Sequence, residues 1–190
     1  MRRPMKMVGD RPNPLFTVWE TLLLHAKARD VRKELSPEVF DSFYRFAFVR
    51  NPWDWHVSMY HFILAQPAAP MHAEVKALGG FEGYVDWVAR AANPFPRGIA
   101  RLQKDMVTDA EGRLLVDFIG HYETLAADFR RVRERIGIDG DLPHLNRSEH
   151  RDYRMYYNER TRRAIGEAFG ADVEAFGYTF DGLRQVSQFA

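Results

Sequence analysis

The chain has no cysteine, which excludes disulfides and thiolate metal sites and leaves a reducing compartment open. It also lacks a charge surplus. Its 27 Lys and Arg stand against 26 Asp and Glu, a formal net charge of +1, so bulk electrostatics give no reason to expect a nucleic acid. The clusters Arg130-Arg131-Val132-Arg133 and Arg160-Thr161-Arg162-Arg163 are interleaved with acids and read as solvated helix faces. No apolar run approaches the ~20 residues of a membrane span. The basic start Met1-Arg2-Arg3-Pro4 is not followed by the apolar stretch of a secretory signal. No His-Glu-x-x-His spacing suggests a metal, no Walker loop suggests a kinase, and no segment repeats. The chain of 190 residues is therefore expected to be one soluble, cytoplasmic domain with no membrane, nucleic-acid or metal partner, in which residues 1–13 are loose or extended.

What is present is concentrated in one run, Tyr44-Arg45-Phe46-Ala47-Phe48-Val49-Arg50-Asn51-Pro52-Trp53-Asp54-Trp55-His56-Val57-Ser58-Met59-Tyr60. Phe46 to Val49 is a short continuous apolar stretch, as in a strand covered on both faces. Asn51 can cap a following helix and Pro52 suits its first position. A helix start presents N–H groups and a positive dipole end. Arg50 adds a forked cation that matches phosphate, and Ser58 adds a hydroxyl. On these residues alone an anion site and a plain strand–helix turn with a surface Arg are equally open.

Periodicity places the other elements. A helix is expected over 18–35 with a break near His25, and Ser36-Pro37-Glu38 reads as the start of the next. Helices follow over about 52–65, with Trp53, Val57, Tyr60 and Leu64 inward, and over 81–92, with Phe81, Tyr84, Val85 and Val88 inward. Residues 104–108 and 114–118 are expected to pair as a hairpin around Thr108–Gly112, with a strand over 114–120. A helix over 124–136 carries Leu125, Phe129, Val132 and Ile136 inward. Residues 139–152 form a polar loop, and a last helix runs over 161–176. Alternating strands and helices predict an α/β fold with a mostly parallel sheet, whose ligands sit at the carboxyl ends of strands, where Arg50 lies.

Arg50-Asn51-Pro52 with Ser58 resembles the motif by which sulfotransferases hold the 3′-phosphate of PAPS (3′-phosphoadenosine 5′-phosphosulfate). His25-Ala26-Lys27-Ala28, Leu102-Gln103-Lys104-Asp105, Val116 to Glu123, Leu145 to His150 and Phe176 to Phe180 resemble, in order, landmarks of a bacterial sulfotransferase family related to the Golgi carbohydrate sulfotransferases. The resemblance runs from about His25 to Phe180.

It implies a P-loop-kinase-like nucleotide-binding fold, a parallel sheet flanked by helices, with PAPS as donor co-substrate and no metal. It implies a saccharide or small-molecule acceptor carrying a hydroxyl or amine. Arg50 and Ser58 would clamp the 3′-phosphate. Asn146 and Ser148 would contact the nucleotide from a covering loop. His25 would be the catalytic base, suited by an imidazole pKa near neutrality, with His121 and Glu123 next in line. His121 otherwise reads as structural and Glu123 as the cap of its own helix. The family normally opens with a strand and a loop of the form Pro-Lys-Thr-Gly/Ala-Gly-Thr for the 5′-phosphosulfate, and nothing in Met1–Leu24 matches it. The implied fold is therefore truncated at its N-terminus, and a non-catalytic, weakly nucleotide-binding or interaction domain is the alternative reading. A strand edge left unpaired by that loss would be covered by dimerisation or strand exchange.

Overall fold

The computed structural model describes residues 7–8, 11–12, 25–68, 71–95, 100–140, 142 and 151–184. Strands β1 (Met7–Val8) and β2 (Arg11–Pro12) form a short antiparallel pair. Helix α1 (Ala28–Leu35) buries none of its residues; residues 18–24 of the expected 18–35 helix lie outside the described residues, and 25–27 are not helical, where the break near His25 is expected. Helix α2 (Pro37–Ser42) buries Phe40. Ser36 does not cap it: the residue sits at φ 64° with no side-chain cap bond. It bonds Glu38 instead, whose pKa is lowered by its own backbone N–H and then by Ser36.

Strand β3 (Phe46–Val49) runs directly into α3 (Pro52–Leu64). Asn51 caps α3 by accepting the Trp53 N–H at 3.1 Å, and Pro52 fills its first turn. The expected burial of β3 on both faces is not found. Val49 is buried while Phe46 is 40% exposed, because Ala47 and Val49 point into one core and Phe46 and Phe48 lie on the opposite face. Along that face Tyr44 stacks on Phe46 at a centroid spacing of 6.1 Å, and Phe46 meets Phe48 edge-on at 6.2 Å. Beyond α3 lie α4 (His72–Ala77), α5 (Phe81–Arg90) and the four-residue α6 (Lys104–Val107).

The expected hairpin over 104–118 reduces to a single antiparallel bridge, Thr108 to Leu114. Lys104–Val107 is helical because Asp172 accepts the backbone N–H groups at its start, from Gln103 at 2.9 Å and Lys104 at 2.8 Å. The strand expected over 114–120 is β4 (Phe118–His121), which pairs with β3 in parallel, Phe46 opposite Phe118 and Val49 opposite His121. Gly120 is needed there: a Cβ would lie 2.4 Å from the Phe48 ring. A 3-10 turn (Tyr122–Thr124) leads into α7 (Leu125–Ile136). Val132 is buried as expected, but Ile136 is 40% exposed, at the helix end.

A second 3-10 turn spans Tyr153–Tyr156. The expected 161–176 helix is two helices, α8 (Glu159–Ala168) and α9 (Gly170–Ala175), with α8 opened by a reciprocal Asn158–Thr161 capping box. The chain turns at Phe169, which is buried, and the turn carries Asp172 inward. Strands β5 (Tyr178–Thr179) and β6 (Gly182–Leu183) form a closing hairpin. Among the described residues β3–β4 is the parallel pairing and the other two pairs are antiparallel. The fold is thus mixed helix and strand with a parallel sheet at its centre.

Two cores flank α3. Trp53 and Ile63 pack with Val75, Tyr84, Val85, Val88, Ile165 and Phe169. Val49 packs with Val107, Phe176 and Tyr178. The junction between β3 and α3 therefore stands where both cores meet.

Candidate active site

The turn from β3 into α3 is fixed by bonds from distant segments. The Gln103 side chain takes both backbone groups of Arg50. Its Oε1 accepts the Arg50 N–H at 2.9 Å, and its Nε2 donates to the Arg50 carbonyl at 2.8 Å. The next residue, Asn51, donates its N–H to Glu123 Oε1 at 2.7 Å and its amide to the Thr179 carbonyl at 2.9 Å. Tyr178 donates its hydroxyl to Glu123 Oε2 at 2.9 Å. Burial, then the Glu123 charge, push the Tyr178 pKa well up, so this hydroxyl stays a donor. Glu123 thus ties the start of α3, a correction to its expected role as a cap of its own helix.

Arg50 projects from this turn, with its side chain 15% exposed. Its Nε bonds Asp54 Oδ2 at 2.7 Å, four residues on. No described residue takes a bond from Nη1 or Nη2, so the forked end of the guanidinium remains for an anion. Ser58 is half-buried and stands one helical turn beyond Asp54 on the same face of α3. Arg50, Asp54 and Ser58 thus follow one another along one stripe that starts at the carboxyl end of a parallel strand.

On an adjoining face of α3 is a cavity of about 160 Å³ lined by His25, Trp55, His56, Arg101, Gln103 and Asp172, among others. His25 is exposed and sits at φ 78°, a left-handed conformation that His adopts more readily than most residues and that often marks functional sites. Gln103 is therefore common to both: it lines the cavity with His25 and bonds the backbone of Arg50. Trp55 is half-buried and meets Phe95 edge-on at 5.2 Å.

Two buried ionisable groups border the cavity. His56 is fully buried, with Nδ1 3.1 Å from the Tyr84 hydroxyl and Nε2 without a partner. Burial first, and the Arg101 charge second, lower its pKa to about 3, so it is neutral. Asp172 is 1% exposed. Burial raises its pKa to about 6 against the lowering effect of the Lys104 and Gln103 N–H groups.

Other expected residues fall elsewhere. Asn146 and Ser148 lie outside the described residues. His121 is structural, as its own residues suggest: Nε2 is 3.2 Å from the Phe176 carbonyl, to which it can only donate, and its N–H goes to Asp128 at 2.9 Å. Trp53 is core, donating Nε1–H to the Arg162 carbonyl at 2.9 Å. Sequence reasoning missed the roles of Gln103 and Asp172. Gln103 stands in the Leu102-Gln103-Lys104-Asp105 landmark, but its partner lies 53 residues away. Among the described residues no cluster of His, Asp or Glu forms a candidate metal site, and no helix is long and apolar enough to cross a membrane.

Comparison with known proteins adds one family. The model of the Sulfotransferase family matches residues 20–179. A protein of Archaeoglobus fulgidus, described only as uncharacterized, is 30% identical over 114 residues, covering 59% of this chain and 82% of that protein. No solved structure matches.

Proposed function

The chain belongs to the sulfotransferase family, and from that premise we propose that it transfers a sulfuryl group from PAPS to a hydroxyl or amine of a saccharide or small metabolite, on a P-loop-like sheet of which β3 and β4 are part. The observation that carries this reading is the fork of Arg50, to which no described residue is bonded. Its Nε is spent on Asp54, its backbone is clamped by Gln103, and among the described residues none takes a bond from its Nη pair, at a helix start that follows a parallel strand. This donor set suits a phosphate dianion: a bidentate cation, a hydroxyl one turn on at Ser58, and the positive end of the α3 dipole.

The donor supplies an activated sulfuryl group whose bond to the 5′-phosphate breaks as the acceptor oxygen bonds sulfur, leaving adenosine 3′,5′-bisphosphate. In this reading Arg50 and Ser58 hold the 3′-phosphate, and Asn146 and Ser148 contact the nucleotide from the 145–150 segment. His25 takes the proton that the acceptor hydroxyl loses, so the group transferred and the proton removed balance. The cavity beside His25 receives the part of the acceptor that carries this hydroxyl.

Calorimetry with adenosine 3′,5′-bisphosphate tests the phosphate site. Binding is expected, with Arg50→Ala abolishing it. Equal affinity for adenosine 5′-monophosphate, which lacks the 3′-phosphate, would refute the assignment.

A further inference from the structure

We infer that Gln103 is a positioning residue for the anion site, aiming Arg50 through its backbone, and that the carboxylate of Asp172 fixes Gln103 in turn. The inference rests on the reading of Arg50 as a phosphate ligand and adds two residues that act on it without touching the ligand.

The geometry is specific. One side chain bonds both the N–H and the C=O of the same residue, at 2.9 and 2.8 Å. Those two groups flank the Arg50 Cα, so the pair of bonds fixes the direction in which the side chain leaves the backbone. A residue that ends a strand has no ladder partner to do this, and Gln103 supplies it. The Gln amide carries an acceptor and a donor on one planar head. A carboxylate of the same size would keep the bond to N–H but face the carbonyl with a second acceptor.

Asp172 completes the chain of contacts. It gives one oxygen to the Gln103 N–H, at 2.9 Å, and the other to the Lys104 N–H, at 2.8 Å. It is 1% exposed. A buried carboxylate is expensive relative to an apolar residue of similar volume, so packing alone does not account for it. What it does is hold the backbone of the residue that holds Arg50. Its raised pKa follows from the same burial. The three residues come from three segments, following β3, preceding α6 and within α9, and no local sequence preference would bring them together.

The experiment compares affinities for adenosine 3′,5′-bisphosphate and adenosine 5′-monophosphate, the latter by competition, in the full chain and in Gln103→Met, Gln103→Glu and Asp172→Asn. The ratio of the two affinities reports the 3′-phosphate alone. Gln103→Met and Gln103→Glu are expected to lower that ratio about tenfold while the monophosphate affinity stays within about threefold, because lost aim costs the charged contact and little else. Asp172→Asn is expected to lower it less, since its amide keeps one acceptor oxygen. If Gln103→Met does not fold, Gln103→Glu, which is isosteric, carries the test. An unchanged ratio in the Gln103 variants, or equal weakening of both ligands as from general loosening, overturns the inference and leaves the function standing. A wild-type chain that does not distinguish the two ligands overturns the phosphate-site reading, and the inference with it.

Discussion

The Tyr122 ring faces the Arg50 guanidinium, whose carbon lies 4.1 Å from the ring centroid. Tyr122 starts the 3-10 turn after β4, so the strand paired to β3 supplies the surface on which Arg50 rests. The contact covers a face of the guanidinium, while Nε bonds Asp54 and no described residue takes a bond from Nη1 or Nη2.

Tyr122 is 48% exposed, so its contribution is that of a solvent-facing cation–π pair, about 0.5–1 kcal/mol. Tyr122→Leu should weaken binding of adenosine 3′,5′-bisphosphate about two- to fivefold in calorimetry, with the melting temperature lowered by no more than about 2–4 °C. No loss of affinity would mean that Asp54 and Gln103 alone aim Arg50.

His25 carries the chemistry in the proposed reaction and takes no part in the phosphate site. With sulfur-labelled PAPS and an accepted substrate, His25→Ala should lower kcat by about a hundredfold or more. The affinity for adenosine 3′,5′-bisphosphate should stay within about twofold of wild type. If binding is lost together with turnover, His25 supports the fold, and if turnover is unchanged the base lies elsewhere.

Acid should unfold the chain partly through His56. Its folded pKa of about 3 lies below the ordinary histidine value of 6.5. Between those values the unfolded chain binds a proton that the folded chain refuses, so stability falls as pH drops through that window. The effect is roughly 2 kcal/mol between pH 6.5 and 4.5. Asp172, raised from 3.8 to about 6, works in the opposite sense, because the folded chain holds a proton there that the unfolded chain releases. Urea midpoints measured at pH 7.5, 6 and 4.5 should fall less steeply in His56→Gln than in wild type, and more steeply in Asp172→Asn. A His56→Gln slope equal to that of wild type would contradict the assignment.

The sequence made the centre of the fold legible where its signals are local. Asn51-Pro52 marks the start of α3 because capping and a fixed φ act within three residues. The apolar run before it marks β3 for the same reason, and the stripe of Tyr84, Val85 and Val88 marks α5. Arg50 stands out as a candidate because it closes that local pattern, and Ser58 only because the family resemblance adds it. The rest depends on partners far along the chain. Lys104 begins a helix and not a hairpin strand because Asp172 lies 68 residues downstream. Glu123 serves Asn51, 72 residues before it, and not the helix it precedes. The 161–176 segment keeps its helical periodicity across Phe169, so the break between α8 and α9 is set by packing that periodicity does not report. Phe46 is as apolar as a two-sided strand requires, and only the sheet decides that its face stays open.

The fastening of Asn51 has a consequence for how the chain matures. Its turn is held by Gln103, Glu123 and Thr179, with separations of 53, 72 and 128 residues between the bonded pairs. Contacts so distant close late, since the intervening chain must be ordered before they form. On a ribosome adding ~5–20 residues each second, the strand and helix that frame the turn emerge many seconds before Thr179 does. The geometry of this turn is therefore a property of the finished polypeptide, and a nascent chain carries Arg50 well before it carries the residues that fix its place.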